Sequence, residues 1–283
     1  MMKHGLVLEG GGMRCMYTVG ILDVFMENKL HFDGIIGVSA GAAFGCNYKS
    51  KQIGRALRYN KRFAKDSRYS GFRSWITTGD LINKQMAYND VPIKYDPFDI
   101  ETFLKNPMRF ELVCTNVENA EPVYHVLENG DIHEFLEWIR ASASMPLVSN
   151  AVEIGEYKLL DGGISDSIPL KHFQEEGFEK NIVILSQPAG FRKKQTKLTP
   201  IFKLFCKYPA IADAMARRHK MYNAELDYIE AEKKKGNTFL IYPEMKLNIG
   251  RAEMDTDKMD KVYNMGRKKG EEILGEVIEF LKD

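Results

Sequence analysis

The stretch GVSAG, Gly37 to Gly41, puts a serine between two glycines directly after the apolar run Gly34-Ile35-Ile36. A serine carried on a sharp strand-to-helix turn needs residues without a Cβ two positions away on either side, because neighbouring backbone passes close there. Such a turn exposes the hydroxyl of Ser39 and makes it a candidate nucleophile. Attack on an acyl group also needs a base for the serine proton and donors for the oxygen that becomes negative. EGGGMRC, Glu9 to Cys15, can present the N–H groups of Gly10, Gly11 and Gly12 at the start of a helix, where the dipole favours negative charge. LDGG, Leu160 to Gly163, puts the carboxylate of Asp161 before two residues, Gly162 and Gly163, that allow close approach of the chain. Each segment alone also has an ordinary reading. Gly10-x-Gly12 begins a dinucleotide loop with Cys15 in place of its last glycine, but that loop wants an acidic residue at the end of the second strand, where this chain has Ser39. An aspartate before glycine is commonly just a turn residue.

These segments must be held by regular elements. HGLVLEGGG reads as a short buried strand ending in a glycine turn, and Met13 to Lys29 has apolar residues at helical spacing. FDGIIGVSAGAAFGCNYKSK repeats the pattern, and strands alternating with helices imply a parallel sheet covered on both faces. The serine, the glycine loop and the aspartate then all fall at C-terminal strand ends, the edge where open α/β sheets bind ligands. Further along, the pattern predicts helices over Leu81 to Asp90, Asp99 to Lys105 and Ile132 to Ser142, the last stopped before Pro146. RFELVCTNV and EPVYHVL read as a hairpin, and AVEIGEYKLLDGG as short strands ending at Asp161. NIVILSQ and NTFLIYP read as strands, and KGEEILGEVIEFLKD as a final amphipathic helix. The division expected is a catalytic core over residues 1–190 and a mainly helical extension over 191–283 that packs on it, with a cap as one role for the extension.

The three segments, in this order, resemble the patatin-like phospholipase family, whose pattern is a G-G-G-x-R-G oxyanion loop, a G-x-S-x-G elbow and a D-G-[GA] aspartate. The matching residues are Gly10-Gly11-Gly12-Met13-Arg14, Gly37-Val38-Ser39-Ala40-Gly41 and Asp161-Gly162-Gly163. ASASMP, Ala141 to Pro146, is similar to the block that precedes the aspartate in that family. The resemblance covers roughly residues 5 to 186. It implies a three-layer α/β/α sandwich with a mostly parallel central sheet, and a Ser-Asp dyad hydrolysing fatty-acyl esters without metal or cofactor. Ser39 would be the nucleophile, Asp161 the proton acceptor, and N–H groups around Gly11 to Met13 the oxyanion hole, with Arg14 orienting the loop. Cys15 departs from the family's glycine; it reads as a small buried hydrophobe, with a thiol acidified by the helix N-terminus as the sharper alternative. Two other readings of function stand beside this one: a lipid-binding or regulatory module without turnover, and a Ser-His-Asp esterase completed by His172 or His219.

Composition is that of an ordinary soluble domain, with 44% apolar and 28% charged residues. No run of the chain has the length and apolarity of a transmembrane helix, and the N-terminal residues do not read as a signal peptide, so a cytoplasmic protein is expected. Cys15, Cys46, Cys114 and Cys206 are widely spaced and suggest neither a disulfide framework nor a zinc site. The net charge of +1 hides segregation: residues 49–74 carry nine Lys or Arg against one acid, and residues 191–220 carry nine against one. Both stretches mix cations with apolar and aromatic residues. The default reading is a solvated face; the sharper one is peripheral contact with an anionic membrane surface. Nucleic acid is not expected as a partner, because no recognisable module accompanies the charge. A lipid or acyl-ester substrate is.

Overall fold

The computed structural model describes residues 2–128, 130–197 and 199–282. In chain order the elements are β1 (His4–Leu8), a 3-10 turn (Gly12–Cys15), α1 (Met16–Glu27), β2 (Gly34–Val38), α2 (Ala40–Lys49), α3 (Arg55–Phe63) and α4 (Phe72–Thr78). A π-helical segment (Met86–Tyr95), α5 (Ile100–Lys105), β3 (Arg109–Asn116), β4 (Pro122–Val126), α6 (Ile132–Ser142), β5 (Val152–Ile154) and β6 (Tyr157–Asp161) follow. The chain continues through a second 3-10 turn (Gly162–Ile164), α7 (Leu170–Glu175), β7 (Lys180–Ile184), α8 (Thr199–Phe205), α9 (Pro209–Lys234), β8 (Thr238–Ile241) and α10 (Thr256–Phe280).

The strands form one sheet in the order β5-β6-β3-β2-β1-β7-β8, with β4 also paired to β3. β3, β2, β1, β7 and β8 run parallel to one another, while β4 and β6 pair antiparallel with β3 and β5 with β6. The central strands are apolar on both faces, as burial on both sides demands. Leu6, Leu8, Ile35, Leu112, Ile182 and Ile184 face a core built with α1, α2, α5, α6 and α10. The alternate residues Val7, Ile36, Val113 and Val183 face a second core with Phe173 of α7 and Tyr222 and Ile229 of α9. The result is the expected mostly parallel sheet between two layers of helices. α10 lies so close on α1 that a Cβ on Gly266 would overlap the Tyr17 carbonyl.

The hairpin, α5, α6 and the strand ending at Asp161 stand where the sequence pattern puts them. Two helices differ. The expected helix over 81–90 is displaced to Met86–Tyr95, because Leu81 gives its N–H to Val148 and Ile82 bridges Ser70, which holds this part extended. Asn83 Oδ1 then accepts from Met86 N–H at 3.0 Å and starts the helix. The expected helix from Met13 begins as a 3-10 turn, and α1 proper starts at Met16.

Candidate active site

Ser39 stands between β2 and α2 with φ 56° and ψ −125°, a conformation that non-glycine residues rarely adopt. Hydrogen bonds on both sides hold it there. Its carbonyl accepts from Ala42 and Ala43 N–H, each at 3.0 Å. Its own N–H donates to Ser142 Oγ at 3.0 Å, and Ser142 in turn donates to the Val113 carbonyl at 2.7 Å. The flanking glycines allow the turn: a Cβ on Gly41 would lie 2.5 Å from the Leu8 carbonyl oxygen, and one on Gly37 2.7 Å from Ala42.

β3 brings Asp161 to this elbow. β2 and β6 occupy the same edge of β3, since both are opposite β4: Val38 pairs with Val113, and Asp161 pairs with the next residue, Cys114. The C-terminal ends of β2 and β6 therefore meet head to head, with Ser39 and Asp161 at the junction. Asp161 is 2% exposed. Its N–H donates to the Ser144 carbonyl at 2.8 Å, and its Oδ1 accepts from Gly163 N–H at 2.8 Å. Oδ2 is buried without a partner at hydrogen-bond geometry. Burial pushes the Asp161 carboxyl above the usual carboxylate range; the neighbouring Ser39 hydroxyl and the Arg218 charge oppose that shift without cancelling it. Gly162 packs against the Val113 carbonyl, and the Gly163 carbonyl accepts from Arg218 Nε.

The glycine loop closes over the same point. The position of a Cβ on Gly10 is 2.8 Å from Ser39 Cβ, so the loop lies directly on the serine. Gly12 has φ 59°, which favours glycine. Among the described residues, no acceptor meets the N–H groups of Gly11, Gly12 or Ala40. Met13 is different from expectation: its N–H donates to the Arg251 carbonyl at 3.0 Å and is not free for an oxyanion. Glu9, buried beneath the loop, accepts from Ser186 N–H at 2.6 Å and from the Tyr222 hydroxyl at 2.7 Å. Ser186 Oγ donates back to the Gly10 carbonyl at 3.1 Å.

Above these groups is a cavity of about 680 Å³, lined by Ser39, Asp161 and the Gly10–Arg14 loop. Phe44, Tyr59, Phe98, Phe135, Leu136 and Ile139, from α2, α3, α6 and the chain before α5, give it apolar wall. Arg14, Lys193, Arg218 and Arg251 also line it. A mostly apolar pocket of this size with a few converging polar groups suits a molecule with a long hydrocarbon part.

The sequence profile of patatin-like phospholipases matches residues 6–173, more than half of the chain. The chain belongs to the patatin-like phospholipase family. Residues 208–282 of this patatin-like chain match a domain of unknown function, DUF6363. The chain is 26% identical to the protein of Escherichia coli (strain K12) described as uncharacterized protein YjjU, in an alignment covering 99% of this chain and 80% of that one. It is 28% identical to lysophospholipase NTE1 of Scheffersomyces stipitis, covering 93% of this chain and spanning 17% of that much longer relative. The crystal structure of VipD from Legionella pneumophila superposes with a TM-score of 0.47 at 11% identity, covering 98% of this chain and 67% of that chain.

Several residues singled out in the sequence take other places in the patatin-like fold. Cys15 is fully buried, and burial together with the Glu9 charge pushes its thiol well up, so the acidified thiol is ruled out and the small buried hydrophobe is what the structure shows. His172 does not line the cavity; its Nε2 is 2.9 Å from Glu111 Oε1, and its ring stacks on Tyr124. His219 lines the cavity; its Nδ1 is buried without a hydrogen-bond partner, so no hydrogen bond joins that nitrogen to Ser39 or Asp161. The first basic stretch is not an open stripe: Arg55 and Arg58 pair with Asp96, Lys61 with Asp260 and Arg68 with Asp66, and Lys49 lies over the Phe103 ring. In the second, Lys193 and Arg218 turn into the cavity, and the Lys203 side chain lies outside the described residues. Ser142 and Ser144 sit inside the ASASMP block, which marks them by resemblance alone; nothing in the sequence points to Arg251.

Ser142→Ala leaves the Ser39 N–H without its acceptor. A buried donor left unpaired costs about 1–3 kcal/mol, so denaturant unfolding is expected to show a loss of that size, with slower labelling of Ser39 by a fluorophosphonate. Unchanged stability and labelling would release Ser142 from any part in holding the elbow.

Proposed function

We propose that the chain is a serine acyl hydrolase that cleaves fatty-acyl esters of lipids through Ser39 and Asp161. The observation that carries this reading is the junction on β3, which sets the two side chains next to each other beneath unengaged backbone donors. Family membership supports it, as does similarity to relatives named lysophospholipases. In the step proposed, Asp161 takes the Ser39 proton while Oγ attacks the ester carbonyl carbon. The carbonyl oxygen becomes negative and is met by N–H groups of Gly11, Gly12 and Ala40. Collapse breaks the bond to the alcohol oxygen, which receives the proton from Asp161. Water, deprotonated by Asp161, then attacks the acyl-serine, and the fatty acid leaves as Ser39 regains its proton. A carboxylate with a raised pKa is a stronger base than an ordinary one, which suits this work.

Ser39→Ala is expected to abolish ester hydrolysis, and Asp161→Asn to reduce it by about 10²–10⁴-fold, the usual contribution of a general base. Labelling by a fluorophosphonate should fall on Ser39; labelling elsewhere, or more than a few per cent residual turnover in Ser39→Ala, would end this reading.

The pH profile distinguishes this pair from a histidine triad. Asp161 must be ionised to act, so activity falls as pH drops through its raised value, which places the acid limb above the ordinary carboxylate pKa of about 3.9. A histidine base would put the limb near 6.5. His219→Ala is expected to leave the limb where it is; its disappearance would make His219 the base.

Among the described residues, no helix is long and apolar enough to cross a membrane. Phe72, Trp75 and Ile76 of α4 and Ile201, Leu204 and Phe205 of α8 are exposed, next in the chain to the cavity-lining Gly71 and Phe202. These groups would let a cytoplasmic protein rest on a lipid surface with its cavity toward the lipid. Binding to anionic vesicles is expected to weaken in Trp75→Ser and Leu204→Ser and as salt rises; no binding by the unmodified protein would leave both groups without this role.

A further inference from the structure

Of the six Lys and Arg residues lining the cavity, four from distant parts of the chain, Arg14, Lys193, Arg218 and Arg251, are close enough to act on one another's charge. Arg218 is engaged, donating from Nε to the Gly163 carbonyl and from Nη2 to Ser167 Oγ at 3.3 Å. The other three are not. Among the described residues, Arg14, Lys193 and Arg251 form no ion pair, and Arg14 Nε is buried without a partner. Lys193 Nζ lies over the face of the Tyr222 ring, 4.0 Å from its centre. The carboxylates that line the cavity have other contacts: Glu9 accepts from Ser186 and Tyr222, Glu253 pairs with Lys258, and Asp161 accepts from Gly163 on Oδ1 with the Ser39 hydroxyl beside it.

The cations therefore repel one another, and the carboxylates of Glu9 and Asp161 oppose that repulsion without ending it. Burial, then the charges of Arg218, Arg251 and Arg14, push the Lys193 ammonium down to about 7 against the weaker pull of Glu9. Desolvation inside the cavity, then Arg14 and Arg218, likewise push the Arg251 guanidinium below its usual range. An arrangement that costs stability when empty is relieved by an anion, and the apolar wall of the same cavity suits the hydrocarbon end of that anion's carrier. Near the glycine loop four cations face two buried carboxylates, Glu9 and Asp161, and a quaternary ammonium would add to that excess of positive charge.

We propose that Lys193 and Arg251, with Arg14 adding to their field, bind the phosphate of a lipid acyl ester and make the site prefer anionic phosphate headgroups over choline-type zwitterions. The proposal rests on the hydrolase reading for what happens to the bound lipid, but its test does not need turnover. Ser39→Ala protein is titrated calorimetrically with octanoyl lysophosphatidate, octanoyl lysophosphatidylcholine and monooctanoylglycerol, which share one acyl chain and one ester. Charge-assisted contacts of this kind are each worth about tenfold or more, so lysophosphatidate is expected to bind about tenfold tighter than either of the others. Lys193→Met and Arg251→Met, made in the same background, keep the side-chain stems; each is expected to shrink that preference severalfold, and the pair together to remove it. Both single variants should melt no lower than their parent, because each removes a repelled charge. Equal affinity for the three lipids, or a preference that survives in the double variant, overturns the proposal. Inorganic phosphate binding as tightly as lysophosphatidate would assign the cluster to free phosphate and overturn the lipid assignment. Failure of the hydrolase reading would look different: the headgroup preference intact, and Ser39 in the unmodified protein inert to a fluorophosphonate.

Discussion

The pairing of two strands end to end along one edge of β3 is the constraint from which the rest of the site follows. Val38 closes β2 against Val113, and Asp161 closes β6 against Cys114, one residue further on. Backbone hydrogen bonding fixes the spacing, so neither the serine nor the aspartate depends on a flexible loop for its position. The ASASMP block adds a second tie between them. Ser142 receives the Ser39 N–H and the Ser144 carbonyl receives the Asp161 N–H, so one helix end holds both partners.

Holding the site this way is costly in local terms. Ser39 sits in an unfavourable backbone region, Asp161 is buried with one oxygen unpaired, and three cations without a direct ion pair share a cavity. The first two are each of the order of 1–3 kcal/mol by ordinary measures of strain and desolvation. The sheet offsets these terms, since its central strands are buried on both faces and pack against helices on each side. Local conflict at the sheet's C-terminal edge and consistency everywhere else is the pattern expected of a functional site in an otherwise well-determined fold.

What could be read in the amino-acid order was whatever physics makes local. The elbow is legible because its glycines answer to backbone passing within a few residues or a single strand away, and the alternation of strands and helices is legible because each is periodic in itself. The meeting of β2 and β6 was not, since it depends on which edge of β3 a strand more than a hundred residues later chooses. The charge clusters are legible only in part for the same reason. Nine cations in residues 49–74 look like a free surface until Asp96 and Asp260 arrive from elsewhere in the chain. Lys193 reads as one more member of a basic run, and Arg251 carries no signal, because what distinguishes them is the lack of a partner in three dimensions. The displaced helix before Tyr95 was set by Val148 and Ser70, again from outside its own segment.

The bond from Met13 N–H to the Arg251 carbonyl joins a loop near the start of the chain to a segment near its end. During synthesis the elbow and its strands leave the ribosome early, but the residue that seats the glycine loop comes 239 positions after Gly12, the difference between 251 and 12. At common elongation rates that interval is on the order of ten to fifty seconds. Throughout it a nascent chain can carry Ser39 while the loop above it remains unseated. The Met13 end of the loop beside Ser39 thus gains its anchor only once Arg251 has been made.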